Sequence, residues 1–348
     1  KKQLKDRVEE LKGVTFQKGL GSVYDKTQRV REIAAFLAEK TGLSADMKQK
    51  IERTAYLCKA DLVTNLVREF TELQGIIGAD YARLNGEDEL VSTGIKEHYM
   101  PVSADGELAQ TTTGQVVGIA DKIDTICGVF ALDKAPTGSA DPMGLRRAAL
   151  GIIKTVIDSS LSVNVTQLIE KAVAAQPIKP ENAEKLIAEI KEFVVQRLRI
   201  LLNEKYRYDV VDAVLGAKDP LADIKDVIAR LGLINELVNK DSYKAFHESA
   251  NRIQRIIKDQ KSTNTIKNSL LKEEQESALW VKASSISETC GYPELIGELE
   301  ALIPYIERFF DKVLVMDKDA DVKQNRINLL SSINSKFMAI ADFSRIVF

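Results

Sequence analysis

The stretch Met47-Lys48-Gln49-Lys50-Ile51-Glu52-Arg53-Thr54-Ala55-Tyr56-Leu57-Cys58-Lys59-Ala60-Asp61-Leu62 decides the fold class. At about 100° per residue, Ile51, Ala55, Cys58 and Leu62 fall within about 60° of one another, a stripe that a helix turns toward a core. Asn65 lies on the extension of that stripe and is expected to satisfy buried polar groups. Val116, Ala120, Ile123 and Cys127 repeat the spacing, and Val30, Ile33, Ala34 and Leu37 form a third stripe for which Asp25 is the expected N-cap. Three helices can share one core. A further helix, from Met143, carries Leu145, Ala148, Ala149, Ile152, Ile153, Val156 and Ile157, a face wide enough to make it the expected central helix.

Working outward, apolar residues recur at three and four nearly throughout and period-two alternation is scarce, so the chain reads as all-α. Punctuation comes at the turn Ala135-Pro136-Thr137-Gly138-Ser139, at Ser159-Ser160, and at Gln176-Pro177-Ile178-Lys179-Pro180, where each proline disfavours helix at the residue before it. The expected organisation is a helical domain over 1–160, a linker over 161–180 and a helical bundle over 181–348. The second domain opens on a long helix through Ala183, Leu186, Ile190, Phe193, Leu198 and Leu201, which runs into Lys205-Tyr206-Arg207-Tyr208. Later stripes are Phe246, Ala250, Ile253 and Ile257, then Leu299, Leu302, Ile306 and Phe310, then Leu329, Ile333, Phe337 and Ile340. Lys258 to Asn268, polar and aperiodic, reads as an exposed connection, and Phe309 and Phe310 as core.

A length of 348 residues suits two domains at roughly 100 to 200 residues each. The 49 Lys and Arg nearly balance the 51 Asp and Glu, which excludes a grossly basic nucleic-acid sponge. Neither side of residue 160 is a net basic body, with 22 basic and 23 acidic residues before it and 27 and 28 after. No apolar run approaches the roughly 20 residues of a membrane span, so a soluble protein is expected. The chain opens without Met, as a piece of a longer polypeptide would. Cys58, Cys127 and Cys290 are odd in number and far apart, which fits reducing cytoplasm better than a disulfide framework. His98 and His247 are the only histidines, too few for a histidine metal cage, and are expected as surface or capping residues. No Gly-rich phosphate loop of the form G-x-x-x-x-G-K occurs.

Three stretches of the first half, Lys26-Thr27-Gln28-Arg29-Val30, Cys58-Lys59-Ala60-Asp61-Leu62 and Ile119-Ala120-Asp121-Lys122-Ile123-Asp124, resemble the metal-binding segments of the HD-domain superfamily. Lys26 and Ala60 stand where that pattern has histidines. An ammonium repels a divalent cation and a methyl group cannot ligate one, so Asp61, Asp121 and Asp124 make a poor metal site. The expectation is a degenerate HD site, with no catalytic residue and no metal, whose carboxylates form a partly buried salt-bridge cluster with neighbours such as Lys59 and Lys122.

The run Leu57-Cys58-Lys59-Ala60-Asp61-Leu62-Val63-Thr64-Asn65-Leu66-Val67, followed by Glu69-Phe70-Thr71-Glu72-Leu73-Gln74-Gly75-Ile76-Ile77-Gly78, closely resembles the beta subunit of bacterial heterotetrameric glycyl-tRNA synthetase. Ala120-Asp121-Lys122-Ile123-Asp124-Thr125 and Pro136-Thr137-Gly138-Ser139-Ala140-Asp141-Pro142-Met143-Gly144-Leu145-Arg146-Arg147 follow in order. Phe309-Phe310-Asp311-Lys312-Val313, Asn325-Arg326-Ile327-Asn328 and Ala341-Asp342-Phe343-Ser344 are similar to the helical anticodon-binding domain of that subunit. The resemblance covers essentially the whole chain, more loosely from Asn164 to Ser287, and makes it the C-terminal half of such a subunit.

That resemblance implies attachment of glycine to its tRNA by an alpha-two, beta-two assembly in which the alpha subunit binds ATP and Mg and performs the adenylate chemistry. This chain would need no cofactor and would hold glycine tRNA. Unpaired anticodon bases are read by stacking and by hydrogen bonds to their edges. The candidate RNA contacts are Arg197, Arg199, Lys205, Arg207 and Tyr208, then Lys312, Lys323, Asn325 and Arg326, with Arg146 and Arg147 placed either to reach phosphate or to brace Asp141. Two other classes remain open at this stage: an HD-type metal-dependent phosphohydrolase and a helical scaffold subunit.

Overall fold

The computed structural model describes residues 2–136, 141, 143–263, 265–287 and 289–347, and these form an all-α fold apart from one short hairpin. From Thr137 onward the expected turn at Ala135 to Ser139 lies outside the described residues. The chain divides into two compact units, Lys1–Ile200 with Leu221–Lys225, and Leu201–Pro220 with Asp226–Phe348.

In the first unit a 3₁₀ segment, Leu4–Gly13, leads into the antiparallel strands β1 (Thr15–Gln17) and β2 (Gly21–Ser22). The α-helices that follow among the described residues are α1 (Val23–Lys40), α2 (Ala45–Leu57), α3 (Asn65–Glu69), α4 (Ile76–Leu84), α5 (Glu89–Glu97), α6 (Thr112–Ala131), α7 (Leu145–Asp158), α8 (Val165–Ala175) and α9 (Ala183–Asn203, up to Ile200). α1 begins at Ser22, whose hydroxyl accepts from the Asp25 N–H while the Asp25 carboxylate accepts from the Ser22 N–H at 2.8 Å. Asp25, expected as the N-cap, is therefore the third helical residue of a capping box.

The quoted stretch is helical as its periodicity requires, and Ile51, Ala55 and Cys58 are fully buried. The stripe does not run on to Asn65. α2 stops at Leu57, a 3₁₀ turn (Ala60–Val63) shifts the register, and the Thr64 hydroxyl caps a new helix. Asn65 is consequently exposed and does not serve the interior.

The central helix of this unit is α6 rather than the expected one from Met143. α6 packs against α1, α2, α5, α7 and α8 and is buried along most of its length, whereas α7 turns one face, Leu145, Ala149, Ile152, Ile153 and Val156, onto α6. Arg147 and Asp158, on its other face, are exposed. Residues 161–180, expected as a linker, contain α8, which packs on α1 and α6 through an apolar face including Leu168, Ile169 and Ala172. The Val165 N–H donates to the Leu221 carbonyl at 2.8 Å and Lys225 Nζ to that of Leu161 at 3.0 Å. The proline-rich punctuation thus separates α8 from α9, and the contact division falls at Leu201.

The second unit contains α10 (Tyr208–Ala217), α11 (Ile224–Leu237, from Asp226 onward), α12 (Tyr243–Ile257), α13 (Glu274–Ser284), α14 (Tyr292–Lys312) and α15 (Ala320–Met338). α12 packs on α14 and α15. The Phe246 ring lies at its centre, edge-on to Phe337 at 5.2 Å and to Phe343 at 5.0 Å. Phe309 is fully buried and Phe310 half-buried, as core residues should be. Arg230 is also fully buried: Nε donates to Asp226 at 2.8 Å and Nη1 to the Val214 and Ile340 carbonyls at 3.1 and 2.9 Å. His247, expected as a surface or capping residue, is buried, with Nε2 2.9 Å from the Ile346 carbonyl. Among the described residues no helix is long and apolar enough to cross a membrane. Phe246→Ala is expected to cost about 3–5 kcal/mol in chemical unfolding, as a large ring removed from a packed core does.

Candidate functional site

The first unit concentrates its chemistry where α1 faces α6. Lys26 and Arg29 stand three apart on α1, and Asp121, Asp124 and Thr125 stand on one face of α6, so each set projects as a row. Lys26 Nζ lies 3.1 Å from Asp121 Oδ1, 3.0 Å from Asp124 Oδ2, 2.8 Å from the Thr125 hydroxyl and 3.1 Å from the Asp121 carbonyl. Arg29 grips Asp124 with Nε at 2.7 Å and Nη2 at 3.3 Å, and Gln176 Nε2 reaches the same carboxylate at 2.9 Å. Lys59 Nζ meets the other oxygen of Asp121 at 3.0 Å. All these charges are buried or nearly so: Lys26 is 4%, Lys59 6% and Asp124 0% exposed.

The electrostatics follow from that geometry. Burial opposes ionisation of Asp121, but Lys26 and Lys59 outweigh it and hold the carboxyl well below the usual range. Asp124 is likewise lowered, with Lys26 and Arg29 overcoming its desolvation. Asp61 behaves oppositely. Burial pushes its carboxyl up against the N–H groups of Gly75 and Gly78, which donate to Oδ2 at 2.6 and 3.1 Å. Gly75 has φ +78° and a Cβ there would stand 2.7 Å from the Tyr99 ring, so this tight approach needs glycine. Lys122 Nζ turns to the His98 and Met100 carbonyls at 3.0 and 2.8 Å, and burial brings it down to about 8.

At the HD-like positions each carboxylate already has a partner of its own. Asp61 tethers the start of α4, Asp124 is clasped by Arg29, and the Lys26 ammonium fills the space between Asp121 and Asp124. Ala60 is buried in the 3₁₀ turn and offers no ligand. A divalent cation there would face Lys26 and Lys59, and those residues do not fit one.

His98, expected at the surface, is fully buried, although it does occupy the C-cap of α5. Its Nδ1 lies 2.6 Å from the Ile95 carbonyl and its ring 3.9 Å from that of Tyr99. Burial holds the imidazole well below its ordinary value. Beside this cluster a cleft of about 470 Å³ is lined by Glu72, Gln74, Tyr99, Asp121, Lys122 and Arg147 among others. Sequence periodicity gave no sign of Gln176 or Tyr99 in this cluster; the only available signal was that α1, α6 and α8 all carry apolar stripes that must share a core.

The expected RNA contacts are dispersed. In the first unit Asp141 accepts from the Leu145 and Arg146 N–H groups at 2.7 and 3.0 Å, so Arg146 meets Asp141 through its backbone. Arg147 is exposed, and Arg146 and Arg199 are half-buried. Arg197 stacks its guanidinium 4.2 Å from the Phe193 ring, and burial followed by repulsion from Arg146 lowers its pKa, Asp141 opposing. Arg146 and Arg197 thus concentrate positive charge near the start of α7. In the second unit Lys205, Tyr208 and Lys312 are exposed. Arg207 pairs with Asp209 through two bonds, at 3.1 and 2.7 Å, and donates to the Val347 carbonyl. Lys323 is half-buried. Asn325 and Arg326 turn inward: Asn325 holds the backbone of Lys267, and Arg326 binds Glu276 at 2.7 Å and Asp317 at 2.7 Å.

With this geometry in place, comparison with known proteins gives first the class, a subunit of an aminoacyl-tRNA synthetase. The profile of the glycyl-tRNA synthetase beta subunit family matches residues 1–216. Glycine–tRNA ligase beta subunits of Gloeothece citriformis, Trichodesmium erythraeum and Clostridioides difficile are 38%, 39% and 37% identical over 99%, 99% and 100% of this chain. The chain spans about half their length, 52%, 52% and 51%. It belongs to the glycyl-tRNA synthetase beta subunit family.

Two outcomes follow from the cluster. Lys26→Met leaves Asp121 and Asp124 facing each other with one cation fewer, and should lower the unfolding free energy by about 3–5 kcal/mol. His98 accepts a proton below about pH 6.5 only when unfolded, so stability should fall from pH 6.5 toward 5 by up to about 1.4 kcal/mol per unit. His98→Gln should flatten that slope in denaturant titrations at each pH.

Proposed function

We propose that this chain is the tRNA-binding part of a glycine–tRNA ligase beta subunit, and that it positions glycine tRNA for ATP-dependent aminoacylation by the alpha subunit. The observation that carries the reading is the filled acidic pocket of the first unit. Asp121 and Asp124 are neutralised by Lys26, Arg29 and Lys59, which favours a holding role over metal-assisted hydrolysis. The partner in this reading is an alpha subunit that brings ATP and Mg, in an alpha-two, beta-two assembly in the cytoplasm, and membership of the beta subunit family supports it. The fragment works with no cofactor and no catalytic residue of its own.

Positioning is a sufficient contribution. Fixing the tRNA end against a distant active site converts a bimolecular encounter into an effectively unimolecular one, worth up to about 7–11 kcal/mol. The candidates that reach solvent, Arg147, Lys205, Arg207, Tyr208 and Lys312, supply cations for phosphates and one aromatic ring for stacking. Arg146, Arg197 and Arg199 would act with Arg147 on phosphate in the first unit, and Lys323 with Lys312 in the second. Asn325 and Arg326 support the surface rather than touching the RNA.

Filter binding with glycine tRNA tests this. Affinity should fall at least about tenfold between about 50 and 200 mM salt, and should drop further when the anticodon is changed. Equal affinity for every tRNA, with no anticodon effect, would contradict the reading.

A further inference from the structure

The segment between α12 and α13 is long for a connection, and among its described residues the only regular element is a single 3₁₀ turn, Asn268–Leu270. Over 258–272 it carries Lys258, Lys261, Lys267 and Lys272 against the single acid Asp259. All four lysines are exposed, and among the described residues none of their ammonium groups pairs with a carboxylate. A solvated, self-repelling stretch of this kind has no reason of its own to be ordered.

Side chains of the second unit nevertheless hold its backbone at successive points. Gln324 Nε2 donates to the Lys261 carbonyl at 2.8 Å. Asn328 accepts from the Thr263 N–H at 3.2 Å and donates to the Thr265 carbonyl at 2.8 Å. Asn325 closes both bonds on Lys267, accepting from its N–H at 2.7 Å and donating to its carbonyl at 3.1 Å. Glu276, fully buried, accepts the N–H groups of Lys272 and Glu273, both at 2.7 Å, and is itself fixed by Arg326. Asn325 and Asn328 are 2% and 5% exposed. Thus α15 commits three amides, Gln324, Asn325 and Asn328, and α13 a buried carboxylate, to holding a basic strip on the outside of the fold.

We propose that this pinned strip is a docking surface for an RNA phosphate backbone, with Lys258, Lys261, Lys267 and Lys272 as the contacting cations. The inference rests on the RNA-binding reading above and adds a segment that reading does not contain. Fixed backbone with flexible lysine stems suits a chain of phosphates, where each ammonium acts as a point charge and displaces a counterion. A protein partner fits less well, because lysine is depleted from protein interfaces. Asn325 and Arg326 act here as positioning residues, through the backbone of Lys267 and through Glu276.

The test replaces all four lysines by glutamine in the full chain and measures glycine-tRNA binding across a salt series. The substitutions lie at the surface and leave the pinning bonds intact. The expected result is an affinity at least about tenfold lower and a plot of log affinity against log salt shallower by about 2 to 3. A second variant, Asn328→Ala, keeps every charge and should weaken binding with the salt slope unchanged. If the parent chain binds and the four-lysine variant binds equally well with the same slope, the strip is not the docking surface. If the variant keeps its tRNA affinity but loses a protein partner of the parent chain, the strip serves that protein and the inference falls. Failure of the parent chain to bind any tRNA overturns the RNA reading itself, and this inference with it.

Discussion

The ammonium of Lys26, surrounded by two carboxylates, a hydroxyl and a carbonyl, determines what the first unit can be. In a buried setting two aspartates a few ångströms apart cannot both ionise without a compensating cation. That cation can be a metal, bound reversibly and able to activate water, or a side chain, fixed and inert. Here it is a side chain, backed by Arg29 on Asp124 and Lys59 on Asp121. The junction of α1 and α6 is thereby tied by charge as well as by apolar packing.

The second unit uses buried charge differently. Arg230 ties α11 to the carbonyls of Val214 and Ile340, and Arg326 ties Glu276 and Asp317 to α15. Neither is poised to react. Both order backbone that the hydrophobic core alone, centred on Phe246, Phe337 and Phe343, does not reach.

How much of this was legible beforehand depended on whether a residue's role is local. The stripes through Ile51 and Val116 are local periodicities, and they gave helices in the right places. The lysine at position 26 and the alanine at position 60 are substitutions within a resemblance, and they pointed to a salt-bridge cluster, which is what Lys26 forms with Asp121 and Asp124. Long-range partners left no such trace. Gln176 sat in what reads as a linker, and only the folding of α8 onto α1 and α6 brings it to Asp124. Asn65 failed because a 3₁₀ turn broke its stripe, whereas His98 does cap a helix as expected, with its ring buried beside Tyr99. Asn325 and Arg326, chosen for their donors, have those donors turned to neighbouring backbone and carboxylates that the sequence places roughly fifty to sixty residues away.

The central claim is that internal cations occupy the acidic pocket, and a manganese titration of the purified chain followed by electron paramagnetic resonance addresses it most directly. With Lys26 and Lys59 paired to these carboxylates, added Mn²⁺ should stay in the free, hexaaqua form at stoichiometric concentrations. Tight binding of about one equivalent, lost on Asp121→Asn, would contradict it.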